Sequence, residues 1–269
     1  MATSANNSFA VVTGASSGIG YHLARVFAEN GFDLLVTSED TKLADAVQEL
    51  QALGVDVQSV QADLSKYDEV ERLWQAISAT GRPVDAIAIN AGVGVGGDFA
   101  RETDLAAELN IIELNVASTV HLAKRVLGPM VDRGAGRILF TSSIAGTMPT
   151  PLEAVYGASK AFVLEFAQSL RYELKDTGVT VTALKPGPTD TNFFHRTGMD
   201  DTEVGTKGKE TNDPADVAKQ GFDALMSGEQ EVFSSSLRTK VEGAVGKILP
   251  DSVKAAQHQK MAEHGTAKS

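Results

Sequence analysis

A glycine-rich turn between an apolar run and a helical pattern constrains the fold of this chain most. Residues 9–13 read Phe-Ala-Val-Val-Thr, and glycines follow at Gly14, Gly18 and Gly20. Apolar residues then recur at helical spacing over residues 19–27, and Gly31 fits a C-cap. Glycine leaves no Cβ between the backbone and a ligand, and a helix N-terminus offers free N–H groups to phosphates. This order therefore predicts a dinucleotide site, with a simple tight turn as the alternative.

A second pattern combines Tyr156 and Lys160, spaced as Tyr-x-x-x-Lys, with Ser143 thirteen residues before the tyrosine. In a helix over 154–176 the two side chains share one face, about 5–6 Å apart at Cβ. A nearby ammonium stabilises a phenolate, so Lys160 is expected to lower the pKa of Tyr156. With a serine hydroxyl, such a pair can exchange a proton with an oxygen bonded to carbon. On its own the spacing also fits an ordinary amphipathic helix.

Apolar runs and helical patterns alternate along most of the chain. Strands are predicted at 9–13, 33–37, 55–61, 84–90, 136–142, 179–185 and 230–234. Helices are predicted at 18–30, 41–53, 67–79, 103–132, 154–176 and 213–227. Alternation of this kind predicts a single α/β domain: a Rossmann-like, doubly wound parallel sheet of about seven strands with helices on both faces.

The chain divides into a domain and two flanking segments. We expect residues 1–8 to be disordered, residues 9–234 to form the domain, and residues 235–269 to be a C-terminal extension. A surface helix and a frayed tail are expected in that extension, with no chemistry assigned. Residues 189–212 form a long segment of mixed polarity inside a compact domain, which is typical of a substrate lid. Its residues Phe193, Phe194 and Met199 suggest an apolar wall, or the packing of the lid itself.

Together these motifs resemble the short-chain dehydrogenase/reductase family, in its single-domain branch. The resemblance runs from Phe9 to about Ser234 and rests on Thr13-Gly14-x-x-x-Gly18-Ile19-Gly20, Asp63-Leu64, Asn90-Ala91-Gly92, Asn115, Ser143, Tyr156-x-x-x-Lys160, and Pro186-Gly187 followed by Thr191. The glycine spacing departs from the Gly-x-Gly-x-x-Gly fingerprint of other dinucleotide folds. The resemblance implies an NAD(P)-dependent oxidoreductase that moves a hydride between nicotinamide and a carbonyl or secondary alcohol.

The resemblance also implies the roles of the catalytic residues. Tyr156 exchanges the proton, and Ser143 polarises the substrate oxygen, with its neighbour Ser142 as the second candidate. Lys160 lowers the pKa of Tyr156 and binds the nicotinamide ribose. Asn115 holds a water that links Lys160 to solvent.

The cofactor contacts implied by the resemblance follow the strand ends. The glycine turn meets the pyrophosphate through Gly14, Ser16, Ser17, Gly18, Ile19 and Gly20. The adenine meets Asp63 or the backbone of Leu64. The remaining contacts are Asn90, Ala91 and Gly92 beside a ribose, Tyr156 and Lys160 in the active site, and Pro186, Gly187 and Thr191 at the nicotinamide end.

The cofactor itself is NADP or NAD, and the choice depends on residues 37–39. NAD-preferring relatives usually place Asp at the Thr37 position, whereas NADP-preferring relatives place Arg at the Ser38 position or a basic residue at Ser17. None of these is present. Thr37 and Ser38 are able to bond a 2′-phosphate without charge, while Glu39 repels one. The missing Asp favours NADP.

Composition excludes several classes of function. The 24 basic and 35 acidic residues leave a formal net charge of −11, which argues against nucleic acid and anionic membrane as partners. There are no cysteines, so disulfides and cysteine-ligated metals are excluded, and no metal is expected. Residues 1–8 lack a signal pattern, and the most apolar stretch, 84–97, is too short and glycine-rich for a membrane span. We expect a cytoplasmic enzyme with a small-molecule substrate.

The resemblance implies a homo-oligomer, a tetramer or dimer built from the helices at 103–132 and 154–176. Two other functions stay open. A 3-oxoacyl-carrier-protein reductase needs a basic docking patch, and Lys124, Arg125 and Arg133 offer a modest one. A non-catalytic dinucleotide-binding sensor or scaffold typically loses the Ser, Tyr or Lys, and here all three are present.

Overall fold

The computed structural model of the protein describes residues 7–191, 193–206, 212–234 and 250–267. Seven parallel strands form its central sheet, in the order β3-β2-β1-β4-β5-β6-β7. Their bounds are β1 Phe9–Thr13, β2 Asp33–Ser38, β3 Val57–Gln61, β4 Ala86–Ile89, β5 Gly136–Thr141, β6 Val179–Pro186 and β7 Glu231–Ser234. The order reverses direction at β1, where the chain crosses from β3 to β4, as in doubly wound folds.

Helices connect successive strands and cover both faces of the sheet. Their bounds are α1 Gly18–Glu29, α2 Leu43–Gln51, α3 Tyr67–Ala79, α4 Leu105–Ile111, α5 Ser118–Arg133, α6 Ala154–Glu173, α7 Phe193–Arg196, α8 Pro214–Ser227 and α9 Asp251–Ala262. This arrangement confirms the predicted Rossmann-like, doubly wound fold.

Two apolar cores lie on opposite faces of the sheet. On one face α3, α5 and α6 pack through side chains such as Leu73, Leu122 and Val163. On the other face α1, α2 and α8 pack through side chains such as Phe27 and Phe222, whose ring centroids are 5.1 Å apart. The burial on both faces explains why the central strands are almost entirely apolar.

A polar network closes the edge of the sheet where the strands begin. The Asp33 carboxylate accepts hydrogen bonds from Asn7 and from the backbone N–H of Asp56, and it pairs with Arg82 at 2.8 Å. The Asp85 carboxylate accepts the backbone N–H of Phe9 at 2.8 Å. These bonds join β1, β2 and β4 at their amino ends, away from the edge where parallel strands present ligands.

The predicted continuous helix over 103–132 is wrong. Helix α4 ends at Ile111, a π-helical segment follows over Ile112–Ala117, and α5 begins at Ser118. A π-helical turn is wider than an α-turn and is frequent at functional sites. Here it surrounds Asn115, whose side chain bonds the backbone of Val93 in the loop after β4.

The segments after β6 add elements that the periodicity did not predict. Within the expected lid, α7 and a helical turn at 203–206 are present, while residues 192 and 207–211 lie outside the described residues. Within the expected extension, α9 packs against α7 and that turn through Ala262, Met261, Phe194 and Val204. Of residues 1–8, which we expected to be disordered, 1–6 lie outside the described residues, as do 235–249. Residues 7 and 8 are described, and Asn7 donates to Asp33 at 3.1 Å. Over the residues described, no helix has the length and apolarity needed to cross a bilayer.

Candidate active site

A cavity of about 1290 Å³ opens at the edge of the sheet where the strands end. Its volume exceeds the roughly 300–1,000 Å³ of pockets that hold one drug-sized ligand. Ends of β2, β4, β5 and β6 contribute Ser38, Asn90, Thr141 and Pro186 to its wall. The cavity therefore has room for a long cofactor and a substrate together.

A chain of hydrogen bonds holds three neighbouring strand ends in register. The Thr13 hydroxyl accepts the backbone N–H groups of Asn90 and Ala91, both at 2.9 Å. The Asn90 side chain donates to Thr13 O at 3.1 Å and accepts from the Thr141 hydroxyl at 3.1 Å. Lys160 Nζ then donates to Thr141 O at 3.1 Å. Lys160 is thus positioned by bonds that begin at the glycine turn.

The glycine turn after β1 needs each of its glycines. Gly14 and Gly18 have left-handed φ angles of 68° and 56°. A Cβ at Gly18 would lie 3.0 Å from the Thr191 methyl group, and a Cβ at Gly20 would overlap the carbonyl oxygen of Gly14. Helix α1 starts here without a side-chain cap and without an acidic residue in its first turn. Its N–H groups and positive dipole end therefore fit a pyrophosphate.

Tyr156 and Lys160 share one face of α6; Lys160 is buried, and Tyr156 is partly buried in the cavity wall. Lys160 Nζ lies 5.8 Å from the centre of the Tyr156 ring. Burial lowers the pKa of Lys160 to about 8. Burial also raises the pKa of Tyr156 well above its usual range; the charge of Glu153 raises it further, and hydrogen bonding with Ser143 opposes the rise. The net direction for the Tyr156 pKa is upward because desolvation favours the neutral phenol, and the expected effect of Lys160 on it stays a prediction.

The two adjacent serines after β5 have different hydrogen-bond partners. Ser142 is buried, and its hydroxyl donates to the Lys160 carbonyl oxygen at 2.7 Å. Ser143 caps the 3₁₀ turn Ile144–Thr147, and its hydroxyl accepts the N–H of Ala145 at 3.1 Å while bonding with Tyr156. Ser143 is therefore the serine whose hydroxyl faces the phenol.

Asn115 approaches Lys160 from the π-helical segment but does not line the cavity. Its amide bonds both the N–H and the C=O of Val93 at 2.9 Å, and it donates to Ser159 at 3.0 Å. A Cβ on Gly92 would lie 3.0 Å from Lys160 Nζ and 3.1 Å from Asn115 Oδ1. Glycine at this position keeps open the space on which the two polar groups converge.

Thr37 and Ser38, the two residues proposed to meet the ribose near the glycine turn, differ in whether their side chains line the cavity. Ser38 lines the cavity, and its hydroxyl is 3.0 Å from that of Ser16. Thr37 is fully buried, does not line the cavity, and its hydroxyl has no partner among the described residues. Successive side chains of a strand point to opposite faces, so the strand end cannot present both. Glu39 also lines the cavity.

The structure brings nearly all the predicted site residues to one cavity. Those that line it are Gly14, Ser16, Ser17, Gly18, Ile19, Gly20, Ser38, Asp63, Leu64, Asn90, Ala91, Gly92, Ser143, Tyr156, Lys160, Pro186, Gly187 and Thr191. Thr37 and Asn115 lie behind its wall.

The carboxylate of Asp63 is held locally by the hydroxyl of Ser65 at 2.6 Å and by Lys66 at 3.0 Å. That local pairing leaves the backbone beside Leu64 as the better adenine contact.

The other wall of the cavity carries apolar lid residues, as the sequence suggested, and charged and polar residues that sequence reasoning missed. Phe193 of α7 packs on Tyr156, with ring centroids 5.1 Å apart, and a Cβ on Gly94 would lie 2.8 Å from the Phe193 ring. Phe194 also lines the cavity and packs with Met199 within the lid and against α9. Charged and polar side chains complete this wall: Glu153, Lys185, Arg196, Glu203, Glu231, Lys254, Gln257, His258 and Lys260. No local signal marks these residues, because most come from segments without strong periodicity.

Comparison with known proteins assigns the family. A family model described as short chain dehydrogenase matches residues 8–202. This chain belongs to the short-chain dehydrogenase/reductase family. The predicted resemblance is thereby confirmed, and the chain is an NAD(P)-dependent oxidoreductase that acts on CH–OH groups.

Individual relatives cover most of the chain. Sulfoacetaldehyde reductase 2 of Chromohalobacter salexigens is 36% identical over 71% of this chain and 76% of its own length. The NADP-dependent 3-hydroxy acid dehydrogenase YdfG of Salmonella typhi is 33% identical over 66% of this chain and 71% of its own length.

Solved structures of other family members are also similar to this chain. A short-chain dehydrogenase from Sphingobium yanoikuyae in complex with NADPH has a TM-score of 0.78 and 28% identity, covering 89% of this chain and 93% of that one. A family member from Burkholderia phymatum in complex with NAD has a TM-score of 0.76 and 26% identity, covering 84% and 88%. The similar structures therefore include both cofactors.

The buried ammonium of Lys160 leads to a prediction about stability. Its pKa is about 8 in the folded protein against an ordinary value of 10.5, so between these values the unfolded chain binds more protons. In that window this group makes the free energy of unfolding rise with pH. Lys160→Met removes the buried charge, so we expect a higher melting temperature than the parent near neutral pH.

The advantage of Lys160→Met should shrink between about pH 8 and about pH 10.5, as the parent loses its buried proton. Calorimetry across this pH range measures the difference in melting temperature between the variant and the parent. Lys124→Met is the matched control, since Lys124 is exposed and its replacement should give no such pH-dependent difference. A Lys160→Met protein less stable than the parent at neutral pH would show that the ammonium stabilises the fold.

Proposed function

We propose that the chain transfers hydride between a nicotinamide cofactor and a carbonyl or secondary alcohol, with Ser143, Tyr156, Lys160 and Asn115 as its active-site residues. The observation that supports this most is their convergence. Ser143, Tyr156 and Lys160 meet on one wall of a cavity whose other end is an uncapped helix N-terminus behind a glycine turn. A proton-transfer group and a phosphate cradle in one cavity suit a dinucleotide-dependent reaction.

Tyr156 is the proton carrier. Because burial raises its pKa, the phenol is protonated at neutral pH and suited to donate to a carbonyl oxygen during reduction. The hydroxyl of Ser143 lies beside the phenol and orients the same substrate oxygen. A bound nicotinamide supplies the hydride. In the oxidation direction Tyr156 must first lose its proton, so that direction gains rate as pH rises.

Lys160 and Asn115 form the proton path behind Tyr156. Lys160 has a pKa of about 8, close enough to neutrality to exchange a proton during turnover. Its Nζ and Asn115 Oδ1 flank the open space beside Gly92, which fits a water between them. Lys160 also lies where the ribose of the cofactor would reach the wall.

Several contacts hold the dinucleotide. The N–H groups of α1 bind the pyrophosphate, the Leu64 backbone meets the adenine, and Thr191 meets the nicotinamide carboxamide. Ser38 and Ser16 face the ribose nearest the glycine turn. NADP is the proposed cofactor, supported by the absence of an acidic residue at the Thr37 position and by the NADP-dependent and NADPH-bound relatives. The negative charge of Glu39 argues against NADP, because it repels a 2′-phosphate.

The part of the cavity beside Tyr156 and Phe193 favours, as substrate, a small carbonyl compound that carries an acid group. Arg196 and Lys254 line the cavity wall that also carries Phe193, and Lys254 Nζ lies 3.1 Å from Asp251 Oδ1. Guanidinium and ammonium groups bind carboxylate or sulfonate oxygens strongly. The names of the two relatives, a sulfoacetaldehyde reductase and a 3-hydroxy acid dehydrogenase, both indicate substrates of this kind.

The carrier-protein alternative loses support in the structure. Of its three basic residues, Arg125 pairs with Glu71 at 2.7 Å and Arg133 donates to Val84 O at 2.8 Å. A sensor or scaffold role has no observation in its favour, since Ser143, Tyr156 and Lys160 are placed together. Location in the cytoplasm stays a prediction from composition.

A homo-oligomer is the proposed assembly, as a tetramer or dimer. Large apolar side chains are exposed side by side on α4, the π-helical segment and α6. They are Leu105, Leu109, Ile112 and Phe162, with Phe99 from the preceding loop, and they are 42–67% exposed. A shallow depression of about 420 Å³ lies among Phe99, Ile112 and Phe162. Contiguous apolar surface of this kind is typical of a protein interface.

Tyr156→Phe should lower kcat by about 10²–10⁴-fold, because it deletes the proton carrier and little volume. Affinity for the dinucleotide should stay within about twofold of the parent. Steady-state kinetics with small aldehydes and ketones, with and without an acid group, provide the measurement. Ser143→Ala should cost far more activity than its neighbour Ser142→Ala. Full activity of Tyr156→Phe would remove this residue from the mechanism.

Titration with NADPH and NADH, by calorimetry or fluorescence, should show tighter binding of NADPH. Ser38→Asp should then move the ratio of dissociation constants toward NADH by about tenfold, because a carboxylate repels the 2′-phosphate and accepts ribose hydroxyls. Ser38→Asn is the uncharged control. Tighter NADH binding by the parent would make the choice of NADP wrong and point to Glu39. If neither dinucleotide binds, the proposed function fails.

Light scattering at micromolar concentration should show a dimer or tetramer. Phe162→Glu should yield smaller species, because a carboxylate in an apolar interface loses its hydration. The matched control is Tyr172→Glu, on the same helix and 73% exposed, which should not change the mass. A monomeric parent protein would contradict the proposal.

A further inference from the structure

Two titratable side chains that the mechanism does not use are buried together beside Tyr156. Glu153 lies just before α6 and is 4% exposed, and His258 of α9 is 3% exposed. His258 Nε2 lies 3.2 Å from Glu153 Oε2, and His258 Nδ1 lies 3.1 Å from the carbonyl oxygen of Pro151. One imidazole thus bridges the turn that leads into the Tyr156 helix.

The partners of His258 fix how many protons the pair holds. A carbonyl oxygen only accepts, so Nδ1 must carry the hydrogen of its bond to Pro151. Nε2 then faces a carboxylate oxygen, and a bond between them needs a second proton, on either the imidazole or the carboxyl group. The pair with that proton has no net charge, whichever atom holds it.

The charge of Glu153 matters because Tyr156 follows it on the first turn of α6, and both line the same cavity. An unpaired carboxylate there makes phenolate harder to form, in line with the raised pKa of Tyr156. His258 Nε2 lies against this carboxylate and, when protonated, neutralises it. The other charged residues that line the cavity are Glu39, Asp63, Lys160 on α6, Lys185 on β6, Arg196 on α7, Glu203 on the 203–206 turn, Glu231 on β7, and Lys254 and Lys260 on α9.

The turn that His258 bridges is also strained. Leu152 has a φ of 68°, the one positive value at a non-glycine among the described residues. A left-handed conformation is unfavourable for a residue with a Cβ and persists only where its surroundings hold it. Here Leu152 O accepts the N–H of Gly97 at 2.8 Å, and its side chain packs with Met261 and Ala262 of α9. Helix α9 therefore holds the strained turn through apolar packing and through His258.

We propose that His258 is a positioning residue of the reaction: it clamps the 150–153 turn ahead of Tyr156 and holds the proton that neutralises Glu153. This inference rests on the proposed function, because it assigns His258 an effect on the proton carrier. It also makes α9 a part of the active site, so the segment after β7 completes the site and does not merely follow the domain.

The test measures the pH dependence of alcohol oxidation, in which the rising limb of kcat reports loss of the Tyr156 proton. His258→Gln keeps a donor for Pro151 O but leaves Glu153 charged, so the limb should shift upward by roughly one pH unit. Glu153→Gln replaces a carboxylate that His258 already neutralises, so the limb should stay near that of the parent. In the double variant, replacing His258 should add no upward shift, because its target is already neutral.

The control variant is His264→Gln. His264 forms an exposed pair with Asp201 at 2.8 Å and does not line the cavity, so its loss should leave the pH profile unchanged. Equal losses of kcat in the His258 and Glu153 variants, with the limb of His258→Gln unmoved or with shifts in the same direction, would overturn the proposal. Such a result would leave the pair a merely structural contact.

A second measurement separates this inference from the proposed function. Hydrogen exchange followed by mass spectrometry should show faster exchange of residues 150–156 and 251–262 in His258→Gln, and not in His264→Gln. If the parent protein binds no dinucleotide and shows no turnover, the proposed function fails, while the exchange result still decides whether His258 clamps the turn. Unchanged exchange would overturn the clamp.

Discussion

The site depends on hydrogen bonds that run across the ends of β1, β4 and β5. Thr13 accepts two backbone N–H groups from the end of β4, Asn90 bonds back to β1 and onward to Thr141, and Thr141 accepts from Lys160. Each link joins a side chain of one strand to its neighbour, so the three ends cannot shift independently. The cofactor cradle and the proton-transfer group are thereby fixed relative to one another.

Much of the fold was predictable because its signals are local. Alternating apolar runs and helical patterns predicted all seven strands with end shifts of one or two residues for most. The glycine turn was readable since positive φ values and close backbone packing leave few alternatives to glycine. The resemblance then placed Ser143 and Tyr156, whose neighbours in sequence carry no comparable signal.

What the sequence could not predict depends on burial and on distant contacts. The pKa of Tyr156 is raised because desolvation and the charge of Glu153 outweigh the hydrogen bond with Ser143. Thr37 and Ser38 are neighbours in the sequence, but because side chains alternate along a strand, only Ser38 lines the cavity. The Glu153–His258 pair joins residues from distant parts of the chain, and α9 has no periodicity that marks a buried face.

The Asp33–Arg82 and Asp85–Phe9 bonds close the sheet at the edge remote from the cavity. The two edges of the sheet thus have different roles. The edge where the strands begin stabilises the fold, and the edge where they end carries the active site. Substitutions in the lid and in α9 can alter substrate choice while the anchoring end keeps the framework intact. A scaffold so divided can diversify its specificity during evolution, or in a laboratory selection, without first having to acquire extra stability.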